Sequence, residues 1–373
     1  MIVSSFIWSK IDQLDTRLRE RVSASVLDPH VFHLRRIIIV PGTYFHFLDN
    51  YGLSEFVLGG HEDITTSIST FPDFYSFTRL SPAIFDWTTN SPCHGLNILP
   101  FDLSTITYID GDWCPISCSF DDRNLYHFLY LCLPALRRKY LCNSDSEKFF
   151  FAYKPSILQL TLLSIFFPKL KPIAFNLPNE HRQTKGYPRY ALEFESIWAS
   201  PYLTLSDEDL AWIQYGLQHS AFQLTLSGID ESIFPARIFV SRLDSNNKNR
   251  TMINSIEIEA TLSKQGFKVI VMSNHSIQDQ IMLFHQAEVI VFEHGAAGAW
   301  LAVCKRNTKV VELIAPRNCA TSTDQATHYE DLASRLNLRY GKITGDQIPM
   351  EGDSNIYFSV CPNQLNELIY ALV

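Results

Sequence analysis

The chain has 373 residues, of which 46% are hydrophobic and 19% charged, so its composition is that of a folded globular protein and excludes a disordered one. Its 31 Lys and Arg residues stand against 39 Asp and Glu residues, and the net charge of −8 argues against a general nucleic-acid binder. At about 150 residues per domain, the length predicts two domains. We place them at residues 1–230 and 231–373.

The amino-terminal segment and the cysteines indicate a cytoplasmic protein. No basic segment precedes a long apolar core before Lys10, so we expect no signal peptide. The apolar run at 156–167 is shorter than the roughly 20 residues that span a bilayer, so we expect a buried helix and no transmembrane segment. Peripheral contact with a membrane stays open. The scattered cysteines favour reduced, mostly buried thiols over a zinc site.

The first half of the chain is rich in Phe, Tyr and Pro and has an irregular hydrophobic pattern. A second α/β layer is predicted from strands at 36–40, 148–153, 170–175 and 195–198 and from helices at 125–140 and 156–167. Ser206 and the acidic residues after it predict the start of another helix, because a serine caps the first turn and acids favour it.

Asp110-Gly-Asp112 fits two interpretations. It has the form of a metal-binding Asp-x-Asp motif, and it also has the composition of a glycine-containing turn. We expect the turn.

The second half alternates regularly between strands and helices. Strands are predicted at 237–241, 267–272, 289–292 and 309–314, with helices between them. Gly266 stands where a helix would end, and Ser276 with Asp279 forms a capping-box pattern at the start of the next helix. This rhythm predicts βαβ units and a parallel sheet.

The segment after the third of these strands is suited to an anion. His294 is followed by Gly295, Ala296, Ala297 and Gly298, small residues that let a ligand approach the backbone before a predicted helix begins. The free N–H groups and the dipole of a helix start would bind a diphosphate there. The alternative is a tight turn whose small residues serve packing only.

Three charged residues fall at neighbouring strand ends or helix starts. Arg242 follows the first strand and Arg250 precedes the next helix, and both can bind phosphate unless they are solvated surface charges. Glu312 lies at the end of the fourth strand. It can accept hydrogen bonds from the hydroxyls of a nucleoside or sugar, or it can cap a helix or pair with an arginine.

An ordered set of these residues resembles glycosyltransferase family 61. The set consists of Ser241-Arg242, Arg250, Asn254, Ser276, Gln280, Phe284, Ala287, His294-Gly-Ala and Val311-Glu312-Leu313. Upstream, Asn124-Leu-Tyr-His127 and Leu133-Pro134 fit as well, so the resemblance covers about residues 120–345. Asp279, Ser255, Ala297 and Trp300 depart from the family pattern.

The resemblance implies an α/β fold with two Rossmann-like domains facing a cleft, the GT-B type, in an inverting glycosyltransferase. The resemblance also implies a nucleotide-sugar donor, a UDP-sugar as is typical of the family, and a saccharide or glycoconjugate acceptor in polysaccharide or glycan assembly. No cofactor is implied, and metal is not required. The last helix packs back on the first domain in some such folds. The donor-binding residues carried over are Arg242, Arg250, Ser276, His294, Gly295, Ala296, Ala297 and Glu312.

A base must take the proton from the acceptor hydroxyl, and the first domain offers three candidates. They are His127, Asp122 and Glu195. His127 has an alternative role as a buried structural histidine, and Asp122 as a helix cap. The alternative for the whole chain is a non-catalytic relative that serves as a binding or scaffold module. A dinucleotide-dependent oxidoreductase is disfavoured, because no Gly-x-Gly-x-x-Gly follows a strand.

Overall fold

The computed structural model describes residues 22–39, 45–49, 52–55, 85–86, 91–92, 106–117, 123–142, 148–176, 191–200, 205–243, 250–316, 328–349 and 356–372. The chain divides into two compact units, Met1–Leu205 and Ser206–Val373. Strands and helices occur in both units, so the protein has the mixed α/β fold that the sequence predicts. Within the described ranges, no helix has the length and apolar character needed to cross a membrane.

The first unit is built on a mixed sheet. Its strands are β1 (Val22–Ala24), β2 (Phe32–Ile39), β3 (Phe45–Asp49), β4 (Gly52–Glu55), β5 (Phe85–Asp86), β6 (Ser91–Pro92), β7 (Ile106–Ser117), β8 (Phe149–Phe151), β9 (Ile173–Ala174) and β10 (Ala191–Ala199). Eight of these described strands form one sheet in the order β4-β3-β2-β10-β7-β8-β9, with β1 beside β2. The segment β10-β7-β8-β9 is parallel, whereas β2 runs antiparallel to β10.

Aromatic side chains form the core under this sheet. The rings of Phe150 and Phe194 stack with centroids 4.7 Å apart, and Trp113 meets Phe150 edge-on at 5.9 Å. Phe150 and Phe194 are fully buried, and Trp113 is almost fully buried. Trp113 is therefore a packing residue.

Asp110-Gly-Asp112 does not form the turn we expected. The three residues lie inside β7, where Gly111 has φ +84° and the pairing with β10 shifts register between Phe194 and Ser196. This is a β-bulge, in which a glycine supplies the positive φ that other residues rarely adopt. A bulge and a turn share the same composition, which is why the sequence does not separate them.

Two helices follow β7 and β8. The first, α1, runs through Leu125–His127, a π-helical segment Phe128–Cys132 and Leu133–Cys142, and the second, α2, is Ile157–Phe166. Asn124 caps α1 by accepting a hydrogen bond from the backbone N–H of Tyr126. Asp122, the expected cap, lies outside the described residues. Helix α2 is half-exposed, because Ile157 and Leu160 face outward, and not fully buried as predicted.

The second unit contains a parallel sheet. Its strands are β11 (Arg237–Ser241), β12 (Arg250–Met252), β13 (Lys268–Val271), β14 (Val289–Glu293), β15 (Lys309–Ile314), β16 (Arg339–Thr344), β17 (Asp346–Ile348) and β18 (Ile356–Ser359). Five of the described strands are parallel in the order β13-β11-β14-β15-β16. A smaller described sheet has the order β12-β18-β17. The helices are α3 (Asp207–Leu226), α4 (Ser255–Ser263), α5 (Ile277–Gln286), α6 (His328–Arg335) and α7 (Pro362–Leu372).

The boundary between the units lies one helix earlier than the predicted division at 230. Helix α3 packs against α5 and the turn at Ala296–Val303, so it belongs to the second unit. The last helix, α7, also packs within this unit. Its Leu365 and Ile369 join the core formed by residues such as Phe239 and Val311.

Local sequence signals explain the helix ends. Ser206 caps α3 through the N–H of Asp209, and Ser276 and Asp279 form the predicted capping box of α5. Gly266, with φ +82°, follows α4, and the N–H of Phe267 donates to Leu262 as in a Schellman motif.

Candidate active site

The strand order of the second unit marks where a ligand is expected. Of the strands in this sheet, β11 comes first in the chain. Strand β13 lies on one side of it, and β14, β15 and β16 lie in turn on the other side. In open parallel sheets, ligands bind outside the carboxyl ends of the strands where this direction reverses. Here that point lies between β11 and β14. Arg242 follows β11 directly, and His294 follows β14.

Arg242 and the end of β14 are joined by two hydrogen bonds. The backbone N–H of Arg242 donates to Glu293 Oε1 at 2.9 Å, and its Nη1 donates to the carbonyl oxygen of His294 at 2.8 Å. A Cβ atom added to Gly295 would lie 3.6 Å from the Arg242 side chain, in ordinary contact. The structure therefore brings Arg242, His294 and Gly295 together, as the sequence predicts. The buried Glu293 was missed, because its partner lies on a distant strand.

The contacts of Glu312 are neither those of a helix cap nor those of an arginine pair, two of the roles that the sequence left open. Its side chain is 1% exposed, and its Oε1 is hydrogen-bonded to Nδ1 of His294. The hydroxyl of Tyr340 donates to its Oε2. Both oxygens are thus engaged inside the protein, because β15 lies between β14 and β16. The geometry makes Glu312 a residue that orients His294.

The hydrogen bond to Glu312 determines how His294 faces a ligand. With Nδ1 directed at the carboxylate, Nε2 is the atom left for another partner, and it has none among the described residues. The side chain is 14% exposed. Which ring nitrogen carries a proton is determined by the bond that the other nitrogen makes, so Glu312 selects a single orientation for the ring.

Two tyrosines complete the surroundings of His294. The Tyr329 ring meets the His294 ring at 5.5 Å, and its hydroxyl donates to the carbonyl oxygen of Gly295 at 2.7 Å. Burial and then the adjacent Glu312 carboxylate raise the pKa of Tyr340 above its ordinary value, so its phenol remains a hydrogen-bond donor. Both residues lie within the stretch of about residues 120–345 that resembles family 61.

The turn after His294 is a 3-10 helix, Ala296–Val303, and not the α-helix that we expected. Its first bond runs from the N–H of Gly298 to the carbonyl oxygen of Gly295 at 3.0 Å. Gly298 serves packing, since a Cβ there would lie 2.7 Å from the Tyr329 ring. The packing explanation therefore holds for Gly298. Ala296 and Ala297 are half-buried at the start of the helix, where the first N–H groups have no intrahelical acceptor.

The remaining donor-side candidates lie on other elements. Arg250 opens β12, in the three-stranded sheet, whereas Arg242 follows a strand of the parallel sheet. Asn254 ties the start of α4 to the end of β18, since its Nδ2 donates to the carbonyl oxygen of Val360 at 2.8 Å. The Ser276 hydroxyl accepts from the N–H of Asp279 and donates to the Asp279 carboxylate, so its recorded contacts are those of a helix cap.

The two described base candidates lie on different elements of the first unit. His127 is half-buried on the first turn of α1, where the π-helical segment begins, and such segments frequently occur at functional sites. Glu195 is exposed on β10, and its Oε2 accepts the backbone N–H of Gly111 at 2.7 Å.

Comparison with known families agrees with this geometry. The family model for glycosyltransferase 61 matches residues 44–311, which include Arg242, His294 and the turn after it. The chain belongs to the glycosyltransferase 61 family. Membership implies glycosyltransferase activity, with a sugar donor and an acceptor as substrates. The comparison with curated proteins finds no match.

Trp300, a departure from the pattern of family 61, is a core residue. Its side chain is fully buried, and its Nε1 donates to Oε1 of Gln280 at 3.0 Å. Gln280 in turn donates to the carbonyl oxygen of Met272 at 2.9 Å. Trp300 thus ties the 3-10 helix to the start of α5 and does not narrow the space before His294.

No group of three or more His, Cys, Asp and Glu side chains in the described part of this family member is arranged to hold a metal ion. The metal independence of the reaction stays a prediction.

Replacing Ser276 by Ala separates its capping role from the predicted donor-binding role. We expect the free energy of unfolding to fall by about 1 kcal/mol, the typical value of an N-cap, with affinity for UDP changed less than about twofold. Denaturant unfolding and calorimetric titration measure the two effects. Ser206→Ala, which removes the cap of α3, is the matched control. A tenfold loss of UDP affinity without loss of stability would instead place Ser276 on the donor.

Proposed function

We propose that this glycosyltransferase transfers a sugar from a UDP-sugar to a saccharide or glycoconjugate acceptor, with inversion and without a metal ion, in cytoplasmic glycan assembly. The observation that carries the proposal is the group formed by Arg242, His294 and Glu312 at the point where the strand order reverses. It combines a guanidinium with an imidazole held by a buried carboxylate.

This group has the chemistry that a diphosphate leaving group needs. As the bond from the sugar to the diphosphate breaks, negative charge develops on a phosphate oxygen. The planar fork of Arg242 suits phosphate oxygens. Because Nδ1–H of His294 is donated to Glu312, Nε2 donates to a phosphate oxygen when the ring carries its second proton. The N–H groups of Ala296 and Ala297, at the start of the 3-10 helix, add neutral donors. Because these donors are fixed by strands before the substrate binds, they need little reorganisation during the reaction.

The proposal includes the GT-B arrangement, with the donor on the second unit and the acceptor on the first. Each unit contains parallel strands joined by helices, which is consistent with two Rossmann-like domains. The base that takes the proton from the acceptor hydroxyl is proposed among His127, Asp122 and Glu195. Glu195 is a carboxylate held at an exposed position by the N–H of Gly111, so it can meet an acceptor from solution.

Nucleotide binding gives the direct test. We expect UDP at a hundred times its dissociation constant to stabilise the chain by about 2.7 kcal/mol, with a rise in melting temperature of several degrees. Thermal-shift titration with UDP, GDP and CMP, each with and without EDTA, measures it. A shift with UDP that EDTA leaves unchanged supports the proposal. A shift with GDP or CMP alone would move the donor class, and no shift with any nucleotide would favour a scaffold.

A further inference from the structure

Three side chains of the first unit form a hydrogen-bonded group on the face of its sheet. Nε2 of His33, on β2, lies 2.9 Å from Oδ1 of Asp112, on β7, and the hydroxyl of Ser196, on β10, donates to the same oxygen. The group is open to solvent, because the Asp112 side chain is 54% exposed.

The charge of this group is defined by its hydrogen bonds. Burial acts to raise the pKa of Asp112, but the hydrogen bonds from Ser196 and His33 outweigh it and lower the pKa below its ordinary value. The carboxylate is therefore ionised at neutral pH. Its second oxygen, Oδ2, has no hydrogen-bond partner among the described residues.

An aromatic surface lies beside the carboxylate. The rings of His33 and Trp198 stack with centroids 4.7 Å apart and planes 28° apart, because the two residues are directly opposite in the β2–β10 pairing. Trp198 is half-buried, and its Nε1 has no hydrogen-bond partner within the described ranges. A half-buried indole with an unused N–H group presents an apolar face together with a polar edge.

The bulge at Gly111 adds a second carboxylate and a cation to the same region. Glu195 accepts the N–H of Gly111 at 2.7 Å, so its carboxylate lies at the bulge that precedes Asp112. A Cβ atom at Gly111 would lie 2.6 Å from Nζ of Lys148, which shows that the ammonium group is close to the bulge. Bulges often lie next to functional sites, where they change the direction of side chains.

The group lies on the two strands between which the parallel strands of the first unit reverse their order. Along the chain, β7, β8 and β9 are added in one direction, and β10 then pairs with the opposite side of β7. The parallel strands thus reverse their order between β7 and β10, the two strands that carry Asp112 and Ser196. Trp198 is one residue before the carboxyl end of β10 at Ala199. Ligands of open α/β sheets bind outside the carboxyl ends of such strands, and Trp198 is the member of the group on β7 and β10 that lies nearest to a carboxyl end.

We propose that the cluster of His33, Asp112, Glu195, Ser196 and Trp198 binds a neutral saccharide ring of the acceptor. The inference rests on the proposed function, since it names the surface that receives the acceptor. The Trp198 ring contacts the C–H face of the sugar, and Oδ2 of Asp112 accepts a hydrogen bond from a sugar hydroxyl. The two carboxylates outnumber the single ammonium group of Lys148 and disfavour a phosphate or an acidic sugar, so the proposed ligand is neither the diphosphate of the donor nor an acidic glycan.

Asp112→Asn is the most specific variant, because asparagine has the same shape as aspartate and changes the chemistry at the exposed atom Oδ2. The amide oxygen still accepts from Ser196 and His33, whereas the NH₂ group replaces the acceptor at Oδ2. Trp198→Leu removes the aromatic face. Asp346→Asn, at an exposed carboxylate on β17 of the second unit, is the matched control.

The experiment uses the full chain with UDP on an array of neutral and acidic oligosaccharides, followed by calorimetric titration of the neutral oligosaccharide that binds most strongly. We expect a neutral glycan to bind, and its affinity to fall at least tenfold in Asp112→Asn and in Trp198→Leu but not in Asp346→Asn. The UDP thermal shift should be the same in all four proteins.

Two results overturn the inference while the proposed function stands: a UDP shift without binding of any neutral glycan, or glycan affinities that the two cluster variants leave unchanged. Absence of the UDP shift in the unmodified chain counts against the proposed function itself. If Trp198→Leu does not fold, Asp112→Asn alone decides, because it preserves the volume and the internal hydrogen bonds of the group.

Discussion

Replacing Glu312 by Ala should lower kcat/KM for sugar transfer at least about a hundredfold, the usual cost of a misplaced reacting group. His294 loses the partner that orients its ring, and the Tyr340 hydroxyl loses its acceptor. Two buried polar groups without partners should also lower the free energy of unfolding by about 2–4 kcal/mol. Steady-state kinetics and denaturant unfolding measure the two losses separately.

Three further variants show whether Glu312 acts through His294. The amide oxygen of Glu312→Gln can still accept from Tyr340, and its amide nitrogen can donate to Nδ1 of His294, which places the proton of a neutral imidazole on Nε2, so this variant should retain more activity than Glu312→Ala. Tyr340→Phe keeps the bond to His294 and should cost least. In a His294→Ala background, Glu312→Ala should cause no further loss of activity. A full additional loss there would show that Glu312 acts independently.

Replacing Arg242 by Ala should weaken UDP binding about 10- to 100-fold, because a hydrogen bond to a charged group contributes about 1.5–3 kcal/mol. Binding of uridine should change less than about threefold, since uridine carries no phosphate. Calorimetric titration with the two ligands measures the difference. Arg237→Ala is the matched control, because Arg237 lies at the other end of the same strand and its Nη1 donates to Gln265 at 3.2 Å. Equal losses for UDP and uridine would contradict a phosphate contact.

The strands of the second unit were the most predictable part of the fold. The predicted bounds of β11 and β15 agree with the structure because both are short, almost wholly buried runs, which a continuous apolar pattern identifies. Strand β16 was not predicted, since it is largely exposed and its hydrophobic pattern is weak. The capping box at Ser276 was predictable because it depends on neighbours three residues apart.

The candidate site was predictable only in part, because some of its contacts depend on how neighbouring strands are aligned. Arg242 and His294 stand at strand ends, a position that can be read from the strand pattern. The bond from Glu312 to His294 depends on the alignment of β14 with β15, and the Tyr340 contact on the addition of β16. Such contacts join residues far apart in the chain, so composition and spacing do not reveal them. The 3-10 helix was mistaken for an α-helix because alanine and glycine at its start suit both.

The support of His294 by buried strands limits the mutations that the proposed diphosphate-binding group can tolerate. The groups proposed to hold the diphosphate lie on or directly after β11, β14 and β15, three strands of the described parallel sheet. Loops tolerate insertion and substitution far better than buried strands do. Selection, or a directed-evolution library, is therefore expected to retain sugar transfer only where it leaves these three strands and the groups that they position unchanged.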